Sequence, residues 1–155
     1  MSSDGYGFEL PLLLFNGFRS IIDELHAELG RRGHPDMRPA HGFALQAIGL
    51  GGATATEAGR KLGISKQAAG KTIDRLADLG YVERAGDAAD RRRKLVRLTP
   101  RGIEALALSA MIFNQIRDRW AAELGAGALA ELEASLRAMT PAEKFRLDVP
   151  GWFGG

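Results

Sequence analysis

Residues 65–99 read SKQAAGKTIDRLADLGYVERAGDAADRRRKLVRLT. Ser65 is a residue type that accepts a free N–H at a helix start. After it, Ala69, Ile73, Leu76 and Leu79 recur at helical spacing and make one inner face, and Gly80 ends the run. The opposite face carries Lys66, Gln67, Gly70, Lys71, Asp74 and Arg75. Residues 81–84 and 94–98 alternate and are β-branched or aromatic enough for two strands. The polar, turn-rich segment between them predicts a hairpin with a long tip. Asp90-Arg91-Arg92-Arg93-Lys94 sets four cations in a row on that tip. Without a partner of opposite sign they repel one another.

Upstream, Thr54 is followed three residues later by Glu57, the pattern of a capping box. The helix it starts runs through Ala58 and Leu62 and ends at Gly63, with Ile64 as an apolar plug in the turn. A short helix, a Gly-containing turn and a longer helix make a helix-turn-helix. From Pro11, the residues Leu12, Phe15, Phe18, Ile22, Leu25 and Leu29 predict a first helix, stopped by Gly30, Gly33 and Pro35. A second helix is expected over 39–50, with Phe43, Ala44, Ala47 and Ile48 on one face. Downstream, Thr99-Pro100 caps a helix that continues through Ile103, Leu106, Met111, Ile112, Phe113, Ile116 and Trp120 to about Leu124. Gly125 to Gly127 break it, and a last helix follows near 129–139 with Leu132 and Leu136. Thr140 and Glu143 form a second capping box and start a short final turn. The sequence has no internal repeat.

These readings predict a mostly α fold with a small β-hairpin wing, a winged helix-turn-helix with flanking dimerisation helices. The expected divisions are an N-terminal dimerisation helix (1–36), a DNA-binding region (37–99) and C-terminal dimerisation helices (100–155). A chain of 155 residues suits one domain plus a dimerisation element. The helices near 11–30, 100–124 and 128–139 are more apolar than one small domain would bury.

Composition narrows the function. The net charge of +2 hides an asymmetry: residues 54–99 carry eleven Lys or Arg against six Asp or Glu (+5), and the remainder carries ten against thirteen (−3). Positive charge concentrated on the helix-turn-helix is a footprint for phosphate. There is no cysteine, which excludes disulfides, thiol sensing and thiolate metal sites. His26, His34 and His41 lack metal-ligand spacing, so no metal or cofactor is expected. No apolar run approaches a membrane span, no basic region precedes the first apolar stretch, and a cytoplasmic location is expected. Gly-rich phosphate loops, Ser-His-Asp order and a nucleophile elbow are all missing, so the chain does not read as an enzyme.

The N-terminal turns of a recognition helix point into the major groove, where long donors read base edges. Gln67 suits adenine, and Lys66 or Lys71 suits guanine or phosphate. Ala68 and Gly70 let the helix approach closely. Arginine on the wing gains from the strong negative potential of a narrow minor groove. The rival reading is a winged helix that docks its basic wing on an acidic protein; a steep salt dependence of duplex binding separates the two.

At this level the chain resembles the MarR family of bacterial transcription regulators over residues 10–145. The likeness is carried by TATEAGRKLGIS, SKQAAGKTIDRLADLGYVER, DRRRKLVRLT and the following TPRG. It implies that Arg92 enters the minor groove with Asp90 bracing it, flanked by Arg91 and Arg93. It also maps helix contacts onto Ser65, Lys66, Gln67, Ala68, Gly70, Lys71 and Arg75, with Thr54 at the preceding helix start. The family fold implies a homodimer on a pseudo-palindromic operator in double-stranded DNA, expected to be a repressor relieved by a small aromatic effector. Phe15, Phe18, Phe43, Met111 and Phe113 are the expected apolar pocket, with His41 or Arg19 to hold a carboxylate or phenolate. The tail departs from the family, and Trp152 and Phe153 are expected to pack on a partner subunit or on the first helix.

Overall fold

The computed structural model describes residues 7–86, 89–90 and 92–140. Six helices and one hairpin follow in order: α1 (Glu9–Arg31), α2 (Pro39–Ile48), α3 (Ala55–Leu62), α4 (Lys66–Asp78), β1 (Val82–Gly86), β2 (Lys94–Leu98), α5 (Pro100–Leu124) and α6 (Ala126–Met139). Thr54, Ser65 and Thr99 cap α3, α4 and α5, each hydroxyl accepting a backbone N–H three residues on. Gly63 ends α3 in the left-handed region (φ 68°), which a residue without Cβ adopts at little cost. The second predicted capping box at Thr140 and Glu143, and the Trp152-Phe153 tail, lie outside the described residues.

β1 and β2 pair antiparallel in the register Val82 to Leu98 through Gly86 to Lys94. Ala53 adds a third, one-residue rung by exchanging both backbone hydrogen bonds with Val96 (2.9 and 3.0 Å). The wing is thereby stitched to the entrance of α3.

One core joins the winged region to α1 and α5. Leu25 and Leu29 of α1, Leu45 and Ile48 of α2, Ile73 and Leu76 of α4, Val96 of β2 and Ile112 and Ile116 of α5 are all buried in it. Arg119 grips Glu24 with two hydrogen bonds (2.5 and 2.6 Å), tying α5 to α1. Arg117 does the same to Glu133 of α6.

Three expectations change. The stripe on α1 is buried only at Ile22, Leu25 and Leu29; Leu12 is 54% exposed and Phe15 48%. At 23 residues the helix is about 35 Å long, and its first turns lie beyond the buried stretch. Gly127 does not break the chain, because Gly125 alone takes the positive φ (96°) that turns α5 into α6. The first strand runs on to Gly86, since the register with β2 continues past Arg84.

Candidate nucleic-acid interface

α4 buries Ala69, Thr72, Ile73 and Leu76 against the core, so its other side faces out. Lys66, Gln67, Lys71, Asp74 and Arg75 are exposed there, and Ala68 and Gly70 are half-buried between them. A Cβ on Gly70 would meet no atom within 4 Å, so packing does not require glycine there and the helix surface is simply low. The first turn of α4 has no acidic residue and begins with a lysine. A lysine against the positive end of the helix dipole is locally unfavourable. Ser65 accepts the Ala68 N–H (3.0 Å), which leaves its own O–H able to donate outward. Thr54 is different: it is half-buried and caps α3 through the Glu57 N–H (3.1 Å).

The wing tip is shaped by Asp90. Its carboxylate accepts the Arg92 N–H (3.0 Å), and its carbonyl accepts the Arg93 N–H (3.1 Å). This Asx-type turn sets the backbone that carries the exposed Arg92. Two other arginines of the hairpin meet carboxylates of the helix-turn-helix, Arg84 with Asp74 of α4 and Arg93 with Glu57 of α3. Arg91 lies outside the described residues.

Tyr81, read from the sequence as a strand residue, is instead a fully buried hub just before β1. Its hydroxyl donates to Asp36 Oδ1 (2.6 Å), accepts from Arg101 Nη2 (3.0 Å) and meets His34 Nδ1 (2.9 Å). Arg101 also bonds Asp36 (3.2 Å) and lies 4.5 Å from the Tyr81 ring centroid. Burial and the Asp36 carboxylate push the Tyr81 hydroxyl well above the ordinary tyrosine range. These groups join the α1–α2 connection, the wing base and the start of α5. Sequence reasoning missed this hub because Asp36, Tyr81 and Arg101 are far apart in the chain and share no local pattern.

A cleft lies between α1, α2 and α5, lined by Ile22, Leu25, Gly42, Phe43, Gln46 and Phe113 among others. Its space is about 10 Å³, room for about one water. Of the residues expected to form an apolar pocket, Phe43 and Phe113 line it. Phe18 stacks on Phe43 at 6.3 Å, while Phe15, Arg19 and Met111 are exposed. His41 does not line it either; it is buried and its Nδ1 accepts the Arg38 N–H (3.1 Å).

Burial, followed by the nearby Arg75 and Arg38 cations, lowers the His41 pKa to about 4. The ring is neutral at pH 7 and brings no positive charge to an anion. The native state therefore takes up this proton later than the unfolded chain does. Stability from this group is fully present above the unfolded value near 6.5 and is lost as the pH falls towards 4. The expected loss is about 3 kcal/mol. Urea melts at pH 7 and pH 4.5 should show a smaller acid loss for His41→Asn than for the unaltered protein. Equal losses in both would contradict the assignment.

Among the described residues, no cluster of His, Asp or Glu is arranged to hold a metal ion, and no helix is long and apolar enough to cross a membrane.

The sequence over residues 36–93 matches the model of the MarR family. No curated protein matches the chain in sequence. In fold, the chain is similar to a mutant of E. coli MarR complexed with operator DNA, with a TM-score of 0.70 and 26% identity over 90% of this chain and 100% of that one. Apo wild-type MarR from E. coli gives 0.64 and 25%, over 85% and 97%. YusO from Bacillus subtilis has the same fold, at 0.66 and 22%, over 90% and 100%.

Proposed function

We propose, from the premise that this chain carries the winged helix of a MarR-family DNA-binding transcription regulator, that it acts as a homodimeric repressor of a pseudo-palindromic operator. The observation that carries the reading is the pairing of two surfaces. The lysine-led outer face of α4 and Arg92 on the Asp90 turn are both exposed, on elements that share one core. A recognition helix in the major groove places such a wing over the neighbouring minor groove. Two copies related by a two-fold would meet half-sites about 10 base pairs apart.

Dimerisation is supported by the apolar surface that one chain leaves uncovered. Leu10, Leu12, Leu13, Leu14 and Phe15 at the start of α1, with Leu132 and Leu136 of α6, are exposed. A patch of that kind marks an association site.

The effector reading places a small aromatic acid in the cleft between α1, α2 and α5. The cleft has room for about one water, so a ligand must first displace lining rings such as Phe43, on which Phe18 stacks. Because α2 packs on both α3 and α4, such a shift reaches the recognition helix. The ligand must favour the DNA-free form, since only differential affinity moves the equilibrium.

The test is binding-site selection on random duplex DNA, followed by salt titration. Gln67→Ala should lose base preference at one position per half-site, costing about 1–3 kcal/mol on the preferred sequence. Arg92→Ala and Lys71→Ala should each flatten the plot of log affinity against log salt by about 0.9. Identical selected sequences for the unaltered protein and Gln67→Ala would remove the base-reading role. A flat salt plot for the unaltered protein would remove DNA binding.

A further inference from the structure

We infer that Glu57 holds Arg93 as a clasp between the wing and α3, so that Arg93 positions the wing tip and is withheld from the DNA backbone. The inference rests on the DNA-binding reading above for its second half only; the clasp exists without DNA.

Arg93 Nη2 meets Glu57 Oε1 across 36 positions of sequence. Both ends are fixed. Glu57 stands in the first turn of α3, with its own N–H held by the Thr54 hydroxyl. Arg93 follows the Asx turn, with its N–H on the Asp90 carbonyl. The guanidinium holds the Glu57 carboxyl below its ordinary range, as expected of an occupied partner. Arg84 and Asp74 make a parallel pair between β1 and α4. The hairpin is thus tied to both helices of the helix-turn-helix, once at its middle and once at its tip.

The physical need for such ties is plain. An isolated two-stranded hairpin is marginal in water. Here the base is held by the buried Val82 and Leu98 and the middle by the Ala53–Val96 rung, which leaves the tip to the side-chain pairs. Both side chains of the Arg93–Glu57 pair are partly exposed, at 42% and 33%. Such a pair contributes little global stability. Its effect is to fix where the 90–93 turn stands, and therefore where Arg92 points.

The pairs also change the charge that DNA meets. Arg84 and Arg93 are neutralised locally by Asp74 and Glu57, while Arg92 remains exposed at the turn. A tip with every cation outward would adhere to any duplex, because phosphate contacts carry no sequence information. Withholding Arg93 lowers that sequence-independent attraction and leaves discrimination to α4 and Arg92.

The full-length protein tests both halves. In the absence of DNA, Glu57→Gln and Arg93→Ala should each speed amide hydrogen exchange in residues 84–86 and 94–96 severalfold, while Arg92→Ala does not. Glutamine keeps the capping pattern of α3, so the fold is preserved. Unchanged exchange in both variants would overturn the clasp, whatever DNA does. On a selected and a scrambled duplex, Glu57→Gln should steepen the salt dependence by about 0.9 as Arg93 becomes available to phosphate. It should also narrow the preference for the selected sequence severalfold. Arg93→Ala should weaken the selected duplex severalfold with no change in salt slope. A slope flattened by about 0.9 in Arg93→Ala would show a phosphate contact and overturn the withholding. A clasp seen by exchange in a protein with no salt-dependent duplex binding would overturn the DNA reading and leave the clasp standing.

Discussion

Gly102→Ala should destabilise the protein by roughly 3 kcal/mol or more, at the upper end of what overpacking costs. Gly102 sits in the first turn of α5, where a Cβ would overlap the Tyr81 carbonyl oxygen and press on Leu98 Cβ at 3.4 Å. The obstructing carbonyl is backbone, so no rotamer change relieves it. That same carbonyl accepts the Thr99 N–H (3.0 Å), and Thr99 caps the helix through the Gly102 N–H (3.2 Å). Moving α5 away to admit a methyl group therefore breaks the joint between wing base and helix. For a chain of this size the melting temperature should fall by about 10 °C. Gly70→Ala is the matched control. It sits mid-helix with open space around its Cβ position, and should stabilise by about 0.5–1 kcal/mol. Thermal and urea melts decide the matter: a Gly102→Ala protein melting within a degree or two of the unaltered one would refute the close approach.

Leu12→Glu combined with Phe15→Glu should convert the proposed homodimer into a monomer and remove operator binding. The two residues continue the stripe of Ile22, Leu25 and Leu29 beyond its buried stretch. Burying two carboxylates against an apolar partner face is strongly unfavourable, whereas the monomer leaves them in water. Within one chain the change should be nearly silent, because both side chains are about half exposed (54% and 48%). A monomer offers one recognition helix in place of two. Affinity for the operator should fall towards the sequence-independent level, a loss on the order of a thousandfold. Light scattering with a helical circular dichroism spectrum separates dissociation from unfolding. A folded double variant that remains dimeric would place the dimer seam elsewhere.

The local signals in the chain were strong, and they determined the elements. Thr54, Ser65 and Thr99 cap the helices they were expected to cap, because a capping hydroxyl and its N–H lie three residues apart and need nothing distant. The alternation on either side of a polar tip marked the hairpin, and a period of 3.6 residues marked the inner face of α4. The outward side chains of α4 were legible for the same reason: once Ala69, Ile73 and Leu76 face inward, Lys66, Gln67 and Lys71 must face outward.

What the sequence could not settle depends on atoms that meet only after folding. The hydrophobic stripe of α1 has one period along its length, yet it is buried only at Ile22, Leu25 and Leu29, and nothing in the spacing says where cover ends. The apolar residues expected to line one pocket are divided by packing: Phe43 and Phe113 reach the cleft, while Phe15 and Met111 face out. His41 carries the same side chain whether exposed or buried; burial beside Arg75 and Arg38 is what keeps it neutral down to about pH 4. The three arginines of the wing are equivalent as letters. Tertiary structure distinguishes two that it describes, pairing Arg93 with Glu57 of α3 and leaving Arg92 exposed on the Asp90 turn, because the register of the hairpin and the cap of α3 bring one guanidinium to a carboxylate and not the other.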